Sequence, residues 1–388
     1  MKKVMIGLSG GVDSAVAAYL LKKQGYEVAG GFMRNWDSSL NNDYLGNPTI
    51  NDSVCPQEKD YQDALKVAEK LGIKLYRIDF IKEYWDYVFS YFLDEYKKGR
   101  TPNPDIFCNK FIKFETFRKF AFDNGFDMIA MGHYAKRIED QDGYVYLSKC
   151  LDQNKDQTYF LSQVNEEQLK DTLFPLGDIT KDEVRRIAHE LDLIVADKKD
   201  STGVCFIGER NFKQFLNNYL PAKKGDIIDI KTNKIVGSHD GVLYYTLGQR
   251  KGLGIGGIKG IDPKSWFVVA KDVNKNILYV AQGDENEYLM SDRAIVKNIN
   301  WTYKQKPVDD YLSVGCKFRY RQKDNDVKIK FIDDDTIEVI YDYEIKAVTP
   351  GQAAVFYLND ICLGGGIIEK IYYHGKEKIT THLENNNG

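Results

Sequence analysis

Glycine and hydroxyl residues are concentrated in an eight-residue run near the N-terminus, and their types suit phosphate binding. The run consists of Gly7, Leu8, Ser9, Gly10, Gly11, Val12, Asp13 and Ser14. Glycines permit tight turns and close backbone approach, and the first N–H groups of a following helix have no partner inside it. The serines add hydroxyl donors, and Asp13 can orient a metal ion or the loop itself. The run therefore predicts a phosphate-binding turn, with an ordinary glycine-rich turn as the structural alternative.

The run differs from two common phosphate-binding patterns. No lysine follows its glycines as in a Walker A sequence, and Ser9 occupies the second glycine position of the dinucleotide pattern G-x-G-x-x-G. The string at 252–257 does satisfy that dinucleotide pattern, but Gly260 and Pro263 follow it where a helix would be required. We therefore interpret 252–257 as a flexible glycine loop.

Two of the six cysteines lie in contexts that favour chemistry. Cys108 follows a double-proline turn and precedes a helix-like stretch, where the positive end of the helix dipole favours a thiolate. Cys205 lies in a glycine-bearing segment, 200–208, and the two thiols could meet at one cleft, although each alone is more often a packing residue. We assign the others to packing: Cys55, Cys150, Cys316 and Cys362. The lack of C-x-x-C spacing argues against zinc sites.

The elements that must position these groups alternate between strand and helix up to about residue 200. Strands are predicted at 4–8, 27–33, 74–80 and 128–131. Helices are predicted at 15–24, 60–71, 81–98, 111–124 and 183–191. This alternation is typical of a doubly wound, mainly parallel sheet, which binds ligands beyond the C-terminal ends of its strands. A polar loop at 35–56 interrupts it, and a lid, a partner surface and a plain solvated loop remain open for that segment.

Beyond Cys205 the pattern changes to short strands. After one helix at 211–220, period-two strands are predicted at 224–230, 241–245, 266–271 and 277–281, and the chain from 294 onward suits a small closed barrel. We therefore predict four parts in the 388-residue chain. They are an α/β N-terminal domain over 1–207, a small mixed α+β central domain over 208–284, an all-β barrel-like C-terminal domain over 285–375 and a disordered tail over 376–388.

The bulk composition restricts the class of protein. A net charge of -3 argues against a uniformly basic nucleic-acid binder, so any RNA site must be a local patch. The segment 244–254 combines Tyr244, Tyr245, Arg250 and Lys251 with glycines, which suits RNA backbone and bases. No apolar run approaches the about 20 residues of a membrane span, and the N-terminus does not match a signal peptide. These features predict a cytoplasmic protein without membrane contact.

Taken together, the motifs resemble those of the tRNA-specific 2-thiouridylases, a family of PP-loop ATP pyrophosphatases. The run at 7–14 matches the SGGxDS loop of that superfamily. The other matching segments, in chain order, are 103–105 with Cys108, 131–134, 155–161, 204–207, 248–254 and 319–322. The resemblance implies a PP-loop fold for the N-terminal domain. It also implies ATP-dependent replacement of the C2 oxygen of the wobble uridine by sulfur, in tRNAs for Lys, Glu and Gln.

The resemblance also implies roles for the thiols. Transfer of AMP to the carbonyl oxygen would make that oxygen a good leaving group, and the loop with Mg²⁺ would hold the pyrophosphate. A persulfide is a better sulfur donor than a thiol, which is only a few per cent ionised at neutral pH. Cys205 would carry the persulfide, charged by a sulfur-relay donor protein. Cys108 would be the second catalytic thiol and would form a Cys108–Cys205 disulfide, while a base role for Asp105 stays open.

Binding residues follow from the resemblance as well. The ATP site would comprise Gly7, Leu8, Ser9, Gly10, Gly11, Val12, Asp13, Ser14, Met33 and Gly132. The target base would contact Asn103, Pro104 and Asp105. The tRNA would contact Lys155, Asp156, Gln157, Arg319, Tyr320, Arg321 and Gln322. The implied cofactors are ATP and Mg²⁺, the metal being carried by ATP with Asp13 as its candidate protein contact. Structural alternatives are a core position for Met33, a tight turn at Gly132 and a solvated hairpin at Lys155.

Two other functions compete with this interpretation. A PP-loop enzyme that adenylates a carbonyl but uses an amine as nucleophile would not need a pair of thiols. A non-catalytic ATP- and RNA-binding protein would bind ATP without cleaving it.

Overall fold

The computed structural model describes residues 1–52, 56–200, 205, 207, 210–255, 264–306 and 311–382. Cys55, most of the segment around Cys205 and the last two residues of the glycine string at 252–257 lie outside these residues. The first strands are β1 Lys3–Gly7, β2 Glu27–Arg34, β3 Lys74–Asp79, β4 Met128–Ala130, β5 Lys136–Glu139, β6 Val145–Ser148 and β7 Thr172–Leu173. The helices are α1 Val12–Lys23, α2 Pro56–Leu71, α3 Ile81–Tyr84, α4 Ser90–Lys97, α5 Pro104–Phe107, α6 Phe117–Asp123, α7 Glu166–Lys170, α8 Lys181–Glu190 and α9 Phe212–Asn217.

The later strands build two further sheets. They are β8 Gly225–Asp229, β9 Ile235–His239, β10 Trp266–Asp272, β11 Ile277–Gln282, β12 Met290–Trp301, β13 Leu312–Lys317, β14 Asn325–Phe331, β15 Thr336–Lys346, β16 Ala353–Leu358, β17 Ile361–Tyr373, β18 Lys376–Glu377 and β19 Thr381–His382. Short 3₁₀ turns occur at Thr158–Leu161, Val242–Tyr244 and Glu287–Leu289.

The N-terminal sheet is parallel and covered on both faces, as predicted. Its order is β3-β2-β1-β4-β7. Val4 and Ile6 of β1 join a core with α1, α2 and α8, whereas Met5 joins the opposite core with the helices at 81–123. The strand order reverses at β1, and the loop that follows β1 is the glycine-rich run. Ligands of doubly wound sheets bind at this switch point.

Two π-helical segments interrupt the helices on one face of this sheet. The helical stretch at 81–97 contains one at Trp85–Phe89, and the stretch at 104–123 contains a nine-residue one at Cys108–Thr116. The π-helix is rare and is frequent at functional sites. Cys108 therefore begins an unusual turn inside a helix, whereas the sequence predicted it just before one.

The C-terminal sheet closes into the predicted barrel. Strands β12-β15-β14-β13-β16-β17 follow one another and β17 pairs again with β12. The β5–β6 hairpin, which the sequence did not predict, adds to the edge of β17. The hairpin interrupts the strand–helix alternation, because its buried Val145 and Leu147 extend the barrel sheet, and the alternation resumes with α7, β7 and α8.

Three sequence predictions require correction. Residues 242–244 form a 3₁₀ turn instead of a strand, and the segment 376–382 is ordered by β18 and β19, which pair with β17 and β10. The tail is held because Thr380 and Thr381 supply backbone partners to β10. The loop at 35–52 is not simply solvated, since Trp36 is 3% exposed and donates to the buried Asp43 at 3.0 Å.

An ion pair fixes the barrel to the turn that precedes α5. Arg100 donates to both carboxylate oxygens of Glu369 in β17, at 2.7 and 2.8 Å. The barrel turn at 350–352 adds a hydrogen bond from the Gln352 amide to the Thr101 carbonyl at 2.6 Å. The barrel therefore contacts the chain immediately before Asn103.

We expect Arg100→Met to lower the free energy of unfolding by about 2 kcal/mol, because it leaves the half-buried Glu369 carboxylate without its cation. The matched control is Lys370→Met, which removes the neighbouring exposed Lys370–Glu377 pair and should change the free energy by less than about 0.5 kcal/mol. Urea unfolding followed by tryptophan fluorescence measures both. Equal losses in the two variants would contradict a special contribution from Arg100.

Candidate active site

The glycine-rich run forms a tight turn that is built for an anion. Gly10 has a φ of 74°, and a Cβ there would lie 2.2 Å from the Asp60 carbonyl oxygen. The Ser14 hydroxyl donates to the Gly11 carbonyl at 3.1 Å and accepts from the Ser9 N–H at 3.2 Å. No side chain caps the N-terminus of α1 at Gly11, so its first N–H groups point into the turn's cleft.

Lysines surround this turn. Lys181, only 8% exposed, donates to both oxygens of Asp13 at 2.7 and 2.8 Å and also pairs with Asp200 at 2.7 Å. Although burial alone would raise it, hydrogen bonds from Lys181 and Lys155 lower the pKa of Asp200 to about 2. Lys198 donates to the Gly10 carbonyl at 2.9 Å. The positive charges are thus held next to the loop by fixed carboxylates.

Gly7, Met33 and Gly132 line the sheet edge beside the turn. A Cβ on Gly7 would lie about 3 Å from side-chain atoms of Met131 and Met33. A Cβ on Gly132 would lie 2.9 Å from the Ser14 nitrogen. Met33 is 8% exposed and belongs to a core cluster, so its contact with a nucleotide stays a prediction.

The two predicted thiols do meet. The Cys108 and Cys205 sulfur atoms lie 3.5 Å apart, although 97 residues separate them in the sequence. Asp105 Oδ1 accepts a hydrogen bond from the Cys205 N–H at 3.0 Å, and the Tyr84 hydroxyl donates to the Cys205 carbonyl at 2.9 Å. Asn103 caps α5 by accepting from the Asp105 N–H at 3.2 Å. Asp105 therefore positions Cys205, and its contact with a target base remains a prediction.

The pKa shifts of the two thiols are opposite to the expectation that Cys108 is the thiolate. Burial and the neighbouring Cys205 sulfur raise the pKa of the Cys108 thiol well above its ordinary value. A hydrogen bond from Cys108 and the nearby Lys113 ammonium lower the pKa of Cys205. The prediction of a Cys108 thiolate was wrong, because Cys108 is fully buried inside the helical stretch instead of lying exposed at its N-terminus. The favoured thiolate is Cys205.

The segment 155–157 mainly makes internal contacts. Lys155 donates to Asp200 at 2.9 Å, and Asp156 is 4% exposed. The Gln157 side-chain oxygen accepts from the Tyr134 N–H at 3.0 Å. The Lys155 side chain nevertheless stays 34% exposed, so the solvated-hairpin alternative and tRNA contact by this segment both stay predictions.

The barrel segment 319–322 likewise makes mostly contacts within the protein. Arg319 donates to two backbone carbonyls at 2.7 and 3.0 Å, one in the barrel and one in the central segment. The Tyr320 ring packs 4.3 Å from the Phe160 ring. Arg321 is the exposed member of the segment and has the most open route to an RNA backbone.

The loop at 244–254 differs from the sequence interpretation. Tyr244 and Tyr245 are 8% and 2% exposed, because both pack into the core, so their rings are not available for base stacking. Arg250 and Lys251 are exposed. Any RNA contact here would come from these cations.

Sequence reasoning did not assign several site residues: Tyr84, Lys113, Tyr134, Lys181 and Lys198. The Tyr134 hydroxyl donates to Asp13 at 2.8 Å, and the Lys113 ammonium lies 3.5 Å from the His133 ring nitrogen Nε2. In the sequence, the motif at 131–134 was the one feature that could have indicated these residues. Within it, Gly132 packs against Ser14, His133 lies beside Lys113 and Tyr134 binds Asp13.

Within the described residues, no group of three or more metal-ligating side chains is present. None of the described helices combines the length and the apolar character that crossing a membrane requires.

The chain matches three family models in order. They are described as the tRNA methyl transferase HUP domain over residues 2–209, the tRNA methyl transferase PRC-barrel domain over 213–282 and the aminomethyltransferase beta-barrel domain over 291–368. These spans agree with the sheets of the structure, except that β5 and β6 join the barrel sheet and β19 joins the central sheet.

Curated relatives cover nearly the full length. The tRNA-specific 2-thiouridylase MnmA of Mycoplasma mycoides subsp. mycoides is 60% identical over 95% of this chain and 99% of its own. The proteins of the same name from Acholeplasma laidlawii and Aster yellows witches'-broom phytoplasma are 55% and 54% identical over 97% and 98% of this chain and 99% and 100% of their own. Among solved structures, NMN synthetase from Francisella tularensis shares 20% identity over 51% of this chain and 66% of its own, with a TM-score of 0.30, a likeness too weak to bear on function.

Proposed function

Since the chain belongs to the tRNA-specific 2-thiouridylase family, we propose that it is a tRNA sulfurtransferase that replaces the C2 oxygen of the wobble uridine with sulfur. The acceptors are the tRNAs for Lys, Glu and Gln, and the reaction converts ATP to AMP and pyrophosphate. The names of the family models mention methyl transfer, but a pair of thiols suits sulfur transfer.

One observation supports this proposal most strongly: consecutive residues connect the phosphate turn to the thiol pair. Gly132 packs against Ser14, His133 faces Lys113 beside the thiols, and Tyr134 binds Asp13. A nucleotide in the turn and a base at the thiols would therefore be neighbours. An amine-using PP-loop enzyme would not require this arrangement.

The residues present fit a nucleotide triphosphate. The uncapped N-terminus of α1 and the nearby Lys181 and Lys198 suit its phosphates, and Gly132 allows its chain segment to approach the backbone of Ser14 closely. Mg²⁺ would come with the phosphates and neutralise charge on the departing pyrophosphate, with Asp13 as its candidate protein contact. Asp13 already binds Lys181. The Asp13 carboxylate would therefore be shared between Lys181 and the metal that ATP brings.

The proposed sequence of steps conserves atoms and electrons. The C2 oxygen attacks the α-phosphorus of ATP and pyrophosphate leaves. The outer sulfur of a Cys205 persulfide then attacks C2, and AMP leaves with the original oxygen. The Cys108 sulfur next attacks Cys205 Sγ. The bond between Cys205 Sγ and the sulfur attached to C2 breaks, and its electron pair stays with the thiouridine. A Cys108–Cys205 disulfide remains, and a two-electron thiol reductant restores the pair.

The sulfur donor would be a persulfide-bearing relay protein, and the enzyme would act in the cytoplasm. The tRNA would dock through a local cationic patch, since the net charge of the chain is -3. Its affinity would therefore fall as salt rises.

Nucleoside mass spectrometry tests the proposal. We expect 2-thiouridine in unmodified tRNA(Lys) after incubation with the protein, Mg-ATP, a persulfide donor and a thiol reductant, with one AMP formed for each thiouridine. Omission of ATP is the control. ATP binding without AMP formation would favour a non-catalytic ATP- and RNA-binding protein, and AMP formation without sulfur incorporation would favour an amine-using enzyme.

A further inference from the structure

Lys113 and His133 lie beside the reacting sulfurs, and the steps above give neither residue a role. Lys113 is five residues after Cys108 and belongs to the same π-helical segment. A π-helix bonds residue i to residue i+5, so its residues five apart lie near one face, whereas an α-helix with about 3.6 residues per turn would separate them. The unusual helical segment thus brings the Lys113 ammonium to the side of the helix that carries Cys108.

Three groups define the surroundings of Lys113. Its ammonium acts on the Cys205 sulfur and lowers the pKa of that thiol, and it lies 3.5 Å from His133 Nε2. His133 is 8% exposed, and burial together with Lys113 holds its pKa well below the ordinary value, so the ring is neutral and Nε2 can accept from the ammonium. His133 therefore orients Lys113 without adding a charge.

The other groups that face the sulfurs set the balance of charge. Asp105 adds a negative charge, which opposes a thiolate, and the Tyr84 hydroxyl is neutral because burial raises its pKa. Although burial alone would lower it, the adjacent sulfurs raise the pKa of Lys113. Among the groups that act on the two sulfurs, Lys113 is the one that carries a positive charge.

We propose that Lys113 is a catalytic residue that stabilises the anionic Cys205 sulfur for attack on the sulfur donor, and that His133 is a positioning residue that holds the Lys113 ammonium toward that sulfur. This assignment rests on the proposed function. In the loading step the Cys205 electron pair forms a bond to the outer sulfur of the donor persulfide. The donor S–S bond breaks, and its electron pair leaves with the inner sulfur of the donor as a thiolate. That thiolate then takes the proton from the transferred sulfur.

The test measures iodoacetamide alkylation of Cys205 against pH in the full-length protein, by peptide mass spectrometry, without tRNA or ATP. Lys113→Met should raise the midpoint by about one pH unit and slow alkylation near neutral pH about tenfold. Lys113→Arg should keep most of the low midpoint. The matched control is Lys110→Met, since Lys110 lies in the same π segment but donates to Gln163 at 3.0 Å, and its midpoint should equal that of the unaltered protein.

An unchanged midpoint in a folded Lys113→Met variant would overturn the assignment, as would an equal rise in Lys113→Arg. If Lys113→Met does not fold, His133→Gln serves instead. It should raise the midpoint by a smaller amount, and no change would overturn the proposal. Because this assay contains neither tRNA nor ATP, failure of the protein to form 2-thiouridine leaves its outcome unaffected, and the two proposals fail separately.

Discussion

Replacement of Cys205 by serine is expected to abolish formation of 2-thiouridine, with a loss on the order of 10³-fold or more, while release of pyrophosphate in the presence of tRNA still occurs. The reason is that activation of the carbonyl and transfer of sulfur depend on different residues of the site. Lys181 is bound to the phosphate turn through Asp13, whereas Cys205 is held by Asp105 and Tyr84, so activation of the carbonyl can proceed without the sulfur carrier. A serine hydroxyl cannot hold a transferable sulfur. Nucleoside mass spectrometry and pyrophosphate quantification on the same reaction measure the two steps separately.

Cys150→Ser is the matched control for this substitution. Cys150 is 1% exposed and its sulfur donates to the Asp152 carbonyl at 3.1 Å, a hydrogen bond that a serine hydroxyl can also make. We expect this variant to keep the thiolation rate of the unaltered protein. Persistence of 2-thiouridine in Cys205→Ser would contradict the persulfide role, and loss of pyrophosphate release together with thiouridine would contradict the separation of the two steps.

Local features of the chain were predictable from its sequence. The phosphate turn depends on residues that are adjacent in the chain, so Gly10, Gly11 and the apolar strand before them were sufficient to indicate it. The parallel sheet and the barrel were also predicted correctly, because their hydrophobic periods are regular. Each of these features is determined within about ten residues.

Features that depend on distant segments were not predictable to the same degree. The meeting of Cys108 and Cys205 was only a hypothesis, since the two residues are 97 positions apart in the sequence. Nothing in the sequence distinguished Lys113 or Lys181 from the other members of the 54 lysines and arginines. The charge state of Cys108 was predicted wrongly because the helix dipole was considered without burial, which for a fully enclosed thiol has the larger effect.

The π segment explains one of these failures in physical terms. Hydrophobic periodicity assumes about 3.6 residues per turn, and it therefore assigns Cys108 and Lys113 to different faces of a helix. The wider turn at Cys108–Thr116 changes that assignment. A helix wheel drawn from the sequence would have placed the lysine away from the thiols that it faces.

The phosphate turn is the second place where a single substitution should have a large effect. We expect Gly10→Ala to weaken ATP binding by about 100-fold and to reduce AMP formation in proportion, because two costs coincide there. The φ of 74° costs about 1–2 kcal/mol for a residue with a Cβ, and that Cβ would lie 2.2 Å from the Asp60 carbonyl oxygen. The turn must shift to relieve this collision, and the shift moves the N–H groups that would bind phosphate and disrupts the bond from Lys198 to the Gly10 carbonyl at 2.9 Å.

Gly25→Ala at the other end of α1 separates these two costs. Gly25 has a φ of 88°, but a Cβ there has no atom within 4 Å, so the substitution carries the backbone strain without the collision. We expect both variants to lose similar stability from strain, in the range of about 1–2 kcal/mol, and only Gly10→Ala to lose ATP binding. Isothermal titration with ATP and thermal unfolding of both proteins measure the two effects. Equal ATP affinity in the two variants would show that the position of the turn against Asp60 does not matter for the nucleotide, and the assignment of 7–14 as the phosphate site would then fail.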